Sequence, residues 1–179
     1  MVVITNIEED HLDYYKDLAD IEGAFAELAT RLPYGGVCIT TENVGHRMSN
    51  IWMSNIWTSD VQRARKIITY DEAAIDGLRL RVPGGHNIAN AQAVLTAAEM
   101  LGVEREGAIA SLNDFRGTWR RFEYKGRIGG SGARLYDDYA HHPSEIRATL
   151  QGARELFPDK KIIAVFQPHL FSRTRQFLE

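Results

Sequence analysis

Two carboxylates and two imidazoles follow one another in a single run of the chain, Asp137-Asp138-Tyr139-Ala140-His141-His142-Pro143. Such a set can move protons or hold a polar ligand, and titratable clusters of this kind concentrate at functional sites. Zinc is a rival ligand, but neighbouring histidines point in different directions and no His-x-x-x-His or cysteine pair supports a closed zinc site. The run therefore indicates a functional site, and a purely structural role is the weaker alternative.

A second polar segment, Asp10-His11-Leu12-Asp13, places two carboxylates around one imidazole. These side chains could ligate a divalent cation such as Mg2+ or Mn2+, or could orient His11 as a base. The alternative is a helix N-cap in which Asp10 or Asp13 accepts backbone N–H groups and His11 is a surface side chain. Both interpretations stay open on the residues alone.

Two further segments carry groups that suit an anion. Gly84-Gly85-His86-Asn87-Ile88-Ala89-Asn90 would bring a helix N-terminus close to a ligand, or would be a glycine turn with an Asn cap. Phe166 to Arg175 brings His169 together with Arg173, and arginine suits a bidentate grip on carboxylate or phosphate. A basic helix start explains that segment about equally well.

Elements of secondary structure must position these groups, and the apolar pattern predicts most of them. Strand, helix and strand over residues 2–5, 17–32 and 37–41 are the signature of a parallel α/β sheet. Five of the six histidines fall in turns at strand ends or helix starts, where open α/β sheets bind ligands. Residues 43–66 give no pattern that predicts an element or a function. Further strands are predicted over residues 66–70, 78–82, 120–124, 134–139 and 161–166, and further helices over residues 87–101, 105–115 and 144–156.

The pattern restarts after Phe115-Arg116-Gly117-Thr118, which predicts a boundary between a domain of residues 1–118 and one of residues 119–179. The net charge of -3, from 21 basic and 24 acidic residues, excludes a global field that would attract nucleic acid or an anionic membrane. Cys38 is the single cysteine, the N-terminus has no signal-peptide pattern, and no apolar run approaches the roughly 20 residues of a membrane span. We therefore expect a cytoplasmic protein that binds neither nucleic acid nor a membrane.

In their order and separations, four segments resemble the Mur ligase family over nearly the whole chain and favour its alanine-adding members. They are Thr5 to Tyr14, Gly85 to Ala91, Arg120 to Glu123 and the run from Asp137 to Pro143. The resemblance implies an α/β fold in two partial domains. Residues 1–118 would be the later part of the parallel-sheet central ATP-binding domain, and residues 119–179 the first part of a Rossmann-like C-terminal domain.

The resemblance also implies an activity. ATP would phosphorylate the carboxylate of UDP-N-acetylmuramate, and the amine of L-alanine would attack the acyl phosphate to form an amide, while Mg2+ or Mn2+ balances the phosphate charge. The site residues that it implies fall into four groups by role: a metal ligand, His11; nucleotide contacts, His86, Asn87, Asn90, Arg121 and Asp138; catalytic residues near the reacting carboxylate and amine, His141 and His142; and contacts to the L-alanine carboxylate, His169 and Arg173.

The chain departs from the family pattern in one important respect. No G-x-x-x-x-G-K-[ST] motif occurs, so the loop that holds the ATP phosphates is absent. The UDP-binding N-terminal domain and the end of the C-terminal domain are absent as well, and the chain alone is expected to be inactive without these partner segments. Other Mur ligases carry a carbamylated lysine in the helix after the Asp-His motif, and residues 17–32 contain no lysine, which fits the alanine-adding branch.

Three alternatives stay open. The related ligase that recycles murein tripeptide is similar in the same segments. A non-catalytic nucleotide-binding module would keep ATP binding through Asn87, Asn90 and Arg121. A metal-dependent hydrolase would need His11 to converge on one ion with the two adjacent histidines at the end of the Asp137 run.

Overall fold

The computed structural model describes residues 1–55, 66–71, 73–169 and 171–176, with the side chains of residues 50–55, 172, 173 and 176 outside that description. The chain divides into two compact units. The first comprises Met1–Ala74 and Ala89–Arg105, and the second comprises Ile75–Ile88 and Glu106–Glu179. None of the helices within the described ranges is long and apolar enough to cross a membrane.

A parallel three-stranded sheet lies at the centre of the first unit. Its strands are β1 (Val2–Ile4), β2 (Val37–Thr41) and β3 (Lys66–Tyr70), paired in the order β1-β2-β3. These segments are rich in β-branched residues, which suit the pleated and buried surface of a parallel sheet. The predicted parallel α/β sheet is confirmed. Because parallel strands share one direction, the segments that follow them leave the same edge of the sheet.

Helix α1 (Leu18–Thr30) connects the first two strands and confirms the helix predicted there. The Asp17 side chain caps it by accepting the backbone N–H of Asp20 at 2.9 Å. The N-cap interpretation of Asp10 and Asp13 is therefore wrong for this helix. Buried residues of α1, of β1 and β2, of the segment after β1 and of the helix that follows β2 form one core cluster: Ile4, Ile7, Ile21, Ala26, Ala29, Cys38, Val44 and Met48.

The stretch with no readable pattern begins as a helix, α2 (Glu42–Asn55). Val44 and Met48, one helical turn apart, are buried in the core of the first unit. Gly45 lets the helix approach β3, since a Cβ there would lie 3.2 Å from Cγ2 of Thr69. The sequence pattern does not predict this helix, because serine, asparagine and glycine fill many of its positions and favour other conformations. Residues 56–65 lie outside the described residues.

Helix α3 (Gly85–Met100) confirms the helix predicted over residues 87–101. Its first residues belong to the second unit, and those from Ala89 onward belong to the first. There Ala93 is buried against Ile39 of β2 and Tyr70 of β3. The first unit therefore has helices and strands in one continuous α/β arrangement.

The strand predicted over residues 78–82 is wrong, because the backbone of this segment bonds to a helix side chain and not to a strand. Asn113 Oδ1 accepts the backbone N–H of Arg79 at 2.6 Å, and Asn113 Nδ2 donates to the carbonyl oxygen of Gly77 at 2.9 Å. Asn113 lies in α4 (Arg105–Asp114), which confirms the helix predicted over residues 105–115. An alternating pattern suits a strand, but only tertiary context decides what the backbone pairs with.

An antiparallel hairpin of β4 (Glu123–Arg127) and β5 (Arg134–Asp137) belongs to the second unit, with an irregularity between Tyr124 and Gly126. The strand predicted over residues 120–124 is displaced by three residues toward the C-terminus. Arg120 and Phe122 have φ values of 56° and 50°, which are incompatible with a strand.

The last part of the chain holds α5 (Pro143–Leu156), which confirms the helix predicted over residues 144–156, and α6 (Phe171–Gln176). The strand predicted over residues 161–166 is wrong. Ile163 and Val165 are 76% and 95% exposed, and none of the described strands pairs with this segment. A strand is defined by its hydrogen-bonded neighbour, which the apolar sequence cannot supply alone.

Candidate functional site

The run that ends in two histidines forms the start of α5. His142 is the N-cap residue, with φ of -85° and ψ of 145°, and its Nδ1 accepts the backbone N–H of Ser144 at 3.4 Å. Pro143 follows in the first turn, where a missing N–H leaves no hydrogen bond unmade. Glu145 completes a capping box by accepting the backbone N–H of His142 at 3.2 Å. The start of the helix therefore fixes the backbone of both histidines.

The Glu145 carboxylate also joins this helix start to Arg121. Its Oε2 accepts the backbone N–H of His141 at 3.1 Å, and its Oε1 lies 3.2 Å from Nη1 of Arg121. Burial is the largest influence on the pKa of Glu145 and raises it, but the two backbone hydrogen bonds and Arg121 together outweigh burial and lower the pKa. The role of Glu145 is not readable in the sequence, because a histidine stands where the usual capping signal has Ser or Thr.

His141 presents one ring nitrogen for chemistry. Its Nδ1 lies 2.8 Å from the carbonyl oxygen of Tyr139. A carbonyl oxygen only accepts hydrogen bonds, so Nδ1 carries the proton in the neutral ring and Nε2 holds the lone pair. The side chain is 18% exposed, and its ring centroid lies 6.0 Å from that of His169. His141 can therefore accept a proton at Nε2.

Arg121 lies between two residues with a left-handed backbone, Arg120 and Phe122. This conformation costs roughly 1 kcal/mol or more for a residue with a side chain. Two carboxylates hold the loop in it: Glu123 Oε2 accepts the backbone N–H of Arg120 at 2.9 Å, and Asp138 Oδ2 accepts that of Phe122 at 2.9 Å. The loop thus presents Arg121 from a fixed backbone.

Asp138 bonds to the backbone of this loop and to the backbone of the segment that follows β5. In addition to Phe122, it accepts the backbone N–H of Ala140 through Oδ1 at 2.7 Å. The backbone N–H of Tyr139 donates to the carbonyl oxygen of Arg120 at 2.8 Å. These bonds tie the end of β5 to the Arg121 loop. Asp138 therefore has a structural role beside the ribose contact that the resemblance implies.

His86 and Asn87 lie at the start of α3, after a turn that requires glycine. Gly84 has φ of 100°, and a Cβ there would lie 2.7 Å from Cε1 of His86. Asn87 Nδ2 donates to the carbonyl oxygen of Pro83 at 2.7 Å. The glycine-turn part of the alternative is confirmed, but Asn87 is not the cap, because it lies inside α3 and its amide donates to a carbonyl oxygen, whereas a cap accepts a backbone N–H.

The second unit brings His86 into the electrostatic environment of Arg121 and Asp138. Desolvation lowers the pKa of His86, the charge of Asp138 opposes this effect, and the charge of Arg121 adds to it. His86 is therefore more readily neutral than an ordinary histidine. Asn90, three residues after Asn87 in α3, is exposed and belongs to the first unit.

His169 is exposed and precedes α6, which contains Arg173. The Arg173 side chain lies outside the described residues, so of the two predicted carboxylate contacts only His169 is described. Its ring approaches that of His141, as given above. The second unit therefore combines a proton acceptor, His141, with the guanidinium group of Arg121, a set that can hold an anionic substrate and remove a proton from it.

His11 lies in the first unit, in the loop that follows β1. It has φ of 54°, and its backbone N–H donates to Asp10 Oδ1 at 2.7 Å. Its side chain is 68% exposed, with Nε2 3.8 Å from Asp10 Oδ2. An open imidazole beside a carboxylate fits one bond to a divalent cation whose other ligands are substrate oxygens.

A closed metal site is a different matter. The described part of the chain contains no group of three or more His, Cys, Asp or Glu side chains that could hold a metal ion. His11 belongs to the first unit and the two adjacent histidines to the second, so the hydrolase alternative stays a hypothesis.

Two families match the chain: the Mur ligase middle domain over residues 1–98, and the Mur ligase glutamate ligase domain over residues 120–179. Curated relatives are UDP-N-acetylmuramate–L-alanine ligases. That of Desulfitobacterium hafniense is 42% identical over 194 residues, which cover 99% of this chain and 42% of the relative. That of Salinibacter ruber is 38% identical over 196 residues, which cover 100% of this chain and 41% of the relative. The chain thus spans about two fifths of the length of these relatives.

Solved structures give the same picture. The crystal structure of the UDP-N-acetylmuramate-alanine ligase from Thermotoga maritima is similar with a TM-score of 0.63 and 28% identity, over 93% of this chain and 41% of that one. MurF from Acinetobacter baumannii has a TM-score of 0.61 at 21% identity, over 89% of this chain and 38% of that one, and supports the fold alone. With matches to the middle domain over residues 1–98 and to the glutamate ligase domain over residues 120–179, the chain belongs to the Mur ligase family.

Proposed function

We propose that this chain forms part of an ATP-dependent ligase of peptidoglycan precursor synthesis that joins L-alanine to UDP-N-acetylmuramate. The observation that carries the proposal is the cluster of Arg121, Glu145 and His141, which sets a cation beside a proton acceptor. Relatives over nearly the whole chain bear that activity in their names. Because the chain spans about two fifths of their length, the proposal concerns the complete ligase.

The proposed reaction has two steps. The γ-phosphoryl group of ATP moves to a carboxylate oxygen of UDP-N-acetylmuramate, which gives an acyl phosphate and ADP. The amine of L-alanine then attacks the acyl carbon, the C–N bond forms and inorganic phosphate leaves. The attacking nitrogen loses a proton, for which we propose His141 Nε2 as the acceptor, since Nδ1 donates a hydrogen bond to the carbonyl oxygen of Tyr139. His142 would complete the catalytic pair.

We assign the nucleotide to His86, Asn87, Asn90, Arg121 and Asp138. Arg121 supplies a positive charge from a fixed backbone, which suits an anion. A neutral His86 can both donate and accept hydrogen bonds, which suits a heterocyclic base better than a phosphate.

The remaining roles concern the metal ion and the amino acid. Mg2+ or Mn2+, with His11 as one ligand, would neutralise charge during phosphoryl transfer. His169 and Arg173 would hold the carboxylate of L-alanine, for which a guanidinium group offers two parallel N–H donors.

We further propose a domain boundary near residue 118, between a central domain of residues 1–118 and a C-terminal domain of residues 119–179. In support, one family match ends at residue 98 and the other begins at residue 120. The compact units divide differently, since Ile75–Ile88 packs with the second unit. A cytoplasmic location would suit an enzyme that uses ATP and a nucleotide sugar, and we propose it on that ground.

The absence of a G-x-x-x-x-G-K-[ST] motif leads us to expect no activity from the 179-residue chain alone. Phosphate release that depends on ATP, L-alanine and UDP-N-acetylmuramate, measured on the purified chain, would refute this expectation.

The function itself is tested in a chimeric ligase, in which this chain replaces the matching segment of the Desulfitobacterium hafniense enzyme. We expect ADP formation that depends on L-alanine and falls about 1,000-fold with His141→Ala, within the range for loss of a general base. Ligation of murein tripeptide instead of L-alanine would favour the recycling ligase. A folded chimera that binds ATP and ligates neither amine would favour the non-catalytic nucleotide-binding module.

A further inference from the structure

Glu145 makes more bonds than a helix cap requires. A capping box needs one carboxylate oxygen on one backbone N–H. Here Oε2 accepts the backbone N–H groups of both His141 and His142, at 3.1 and 3.2 Å, and lies 3.6 Å from Nδ1 of His141. Oε1 is directed to a different partner, Nη1 of Arg121, at 3.2 Å. The two oxygens of one rigid carboxylate thus face two different functional groups.

We propose that Glu145 is a positioning residue that couples Arg121, the nucleotide contact, to the two histidines at the start of α5. The inference rests on the proposed function for the roles of Arg121 and His141, while the coupling itself is a property of the unliganded chain. A bound polyanion competes with Glu145 for Arg121. The carboxylate then reorients, and its hydrogen bonds to the backbone of His141 and His142 change with it.

The surroundings of Arg121 favour the coupling between a bound anion and Glu145. Its neighbours Arg120 and Phe122 are held in left-handed conformations by Glu123 and Asp138, so the backbone of the loop is fixed. Displacement of the guanidinium group must then occur in the side chain. The Arg121 side chain is half exposed and that of Glu145 is one-third exposed, so a ligand has access to the pair.

Glu145→Gln separates coupling from capping. Glutamine retains an acceptor oxygen and serves in capping boxes as glutamate does, but it carries no charge for Arg121. Glu155→Gln is the matched control, because Glu155 is a carboxylate of the same helix whose described hydrogen bond goes to Gln151. Far-UV circular dichroism and thermal unfolding verify that each variant keeps α5.

The measurement is the backbone amide NMR signal of His141 and His142 in the full 179-residue chain, titrated with ATP in the absence of added metal. We expect ATP to shift both signals in the wild-type chain and in Glu155→Gln. In Glu145→Gln the shift at saturation should fall about threefold or more while the helix remains intact, because the charged link is gone. An undiminished shift in Glu145→Gln overturns the proposal. Glu145→Ala, which removes the cap, shows how much of α5 is lost without it. If Glu145→Gln loses as much of α5 as Glu145→Ala does, Glu145 has a capping role alone and the proposal is also overturned.

A second arm needs no nucleotide and separates this inference from the proposed function. Arg121→Met should shift the same two amide signals in the wild-type background and should shift them about threefold less in the Glu145→Gln background. Equal shifts in both backgrounds overturn the coupling. Suppose that ATP does not bind, while Arg121→Met still shifts the two amide signals less in the Glu145→Gln background. In that case the nucleotide assignment fails and the positioning role of Glu145 stands.

Discussion

Gly152 of α5 lies directly against Gly84, the residue that precedes the turn into His86. A Cβ built on Gly152 would lie 3.3 Å from Cα and from N of Gly84, and 3.3 Å from the carbonyl carbon of Pro83. Gly152 is buried, and the atoms that face it belong to backbone, which cannot swing aside as a side chain can. The position of His86 therefore depends on the absence of a side chain on the neighbouring helix.

We predict that Gly152→Ala lowers the free energy of unfolding by about 1–2 kcal/mol, because displacement of the backbone outweighs the gain in helix propensity. Gly107→Ala in α4 is the control, since a Cβ there meets nothing within 4 Å. That variant should raise the free energy of unfolding by up to about 1 kcal/mol. Urea unfolding measures both, and equal stabilisation by the two substitutions would contradict the contact.

Asn113→Ala should destabilise the segment from Gly77 to Arg79 by about 1 kcal/mol, because two hydrogen bonds to its backbone are lost in a partly solvated place. The more specific readout is faster hydrogen exchange of the Arg79 amide. Ser111→Ala on the same helix removes a local bond to the carbonyl oxygen of Gly107 and should leave that exchange rate unchanged.

Arg47→Met should lower the free energy of unfolding by about 2–3 kcal/mol, since it leaves a mostly buried carboxylate without its cation. Arg47 Nη1 lies 3.0 Å from Glu22 Oε1, and Nη2 donates to the carbonyl oxygen of Ile7 at 3.1 Å, in the loop that leads to His11. Glu22→Gln in the same background should restore part of the loss.

Arg31→Met is the matched control for this pair. Arg31 and Glu27 form an ion pair whose side chains are 73% and 62% exposed, so its removal should change stability by no more than about 0.5 kcal/mol. If the two arginine variants lose the same stability in urea, burial of the Arg47 pair is not what stabilises it.

His86 should make the second unit less stable as the pH falls. Desolvation lowers its pKa in the folded chain, so the unfolded chain binds a proton at this residue more readily. As the pH falls through about 6.5, the ordinary histidine value, the unfolded state is protonated first and the free energy of unfolding decreases. Above that pH His86 does not change how the free energy of unfolding depends on pH.

The test compares wild type and His86→Gln by urea unfolding between about pH 7.5 and about pH 5.5, the window on either side of the ordinary histidine value. The variant should lose less stability across this window. An identical decrease in both proteins would show that other groups cause it.

Local pattern correctly predicted helices that carry caps and apolar spacing, and the strands of the parallel sheet, which are rich in β-branched residues. Helix α1 has apolar residues at helical spacing, Asp17 as a cap and a following proline, and each of these signals is readable in sequence. Residues 78–82 and 161–166 read as strands because apolar residues alternate or cluster there, but a strand also needs a distant partner. For the first segment that partner is Asn113, which lies 34 residues after Arg79.

The candidate site shows the same division. Residue types marked His141 and His142 as a pair at a helix start, and the structure places both there. Glu145 was missed because its three hydrogen bonds depend on a histidine cap and on Arg121, which lies 24 residues earlier. The metal, nucleotide and substrate roles of the other predicted residues stay predictions.

The two hydrogen bonds of Asp138 have a stereochemical consequence. A carboxylate offers about four lone pairs, and here Phe122 and Ala140 each occupy one of them from a fixed backbone direction. A hydroxyl group that approaches Asp138 meets only the remaining directions. The same bonds that fold the loop therefore limit the directions from which a ligand hydroxyl group can donate to this carboxylate.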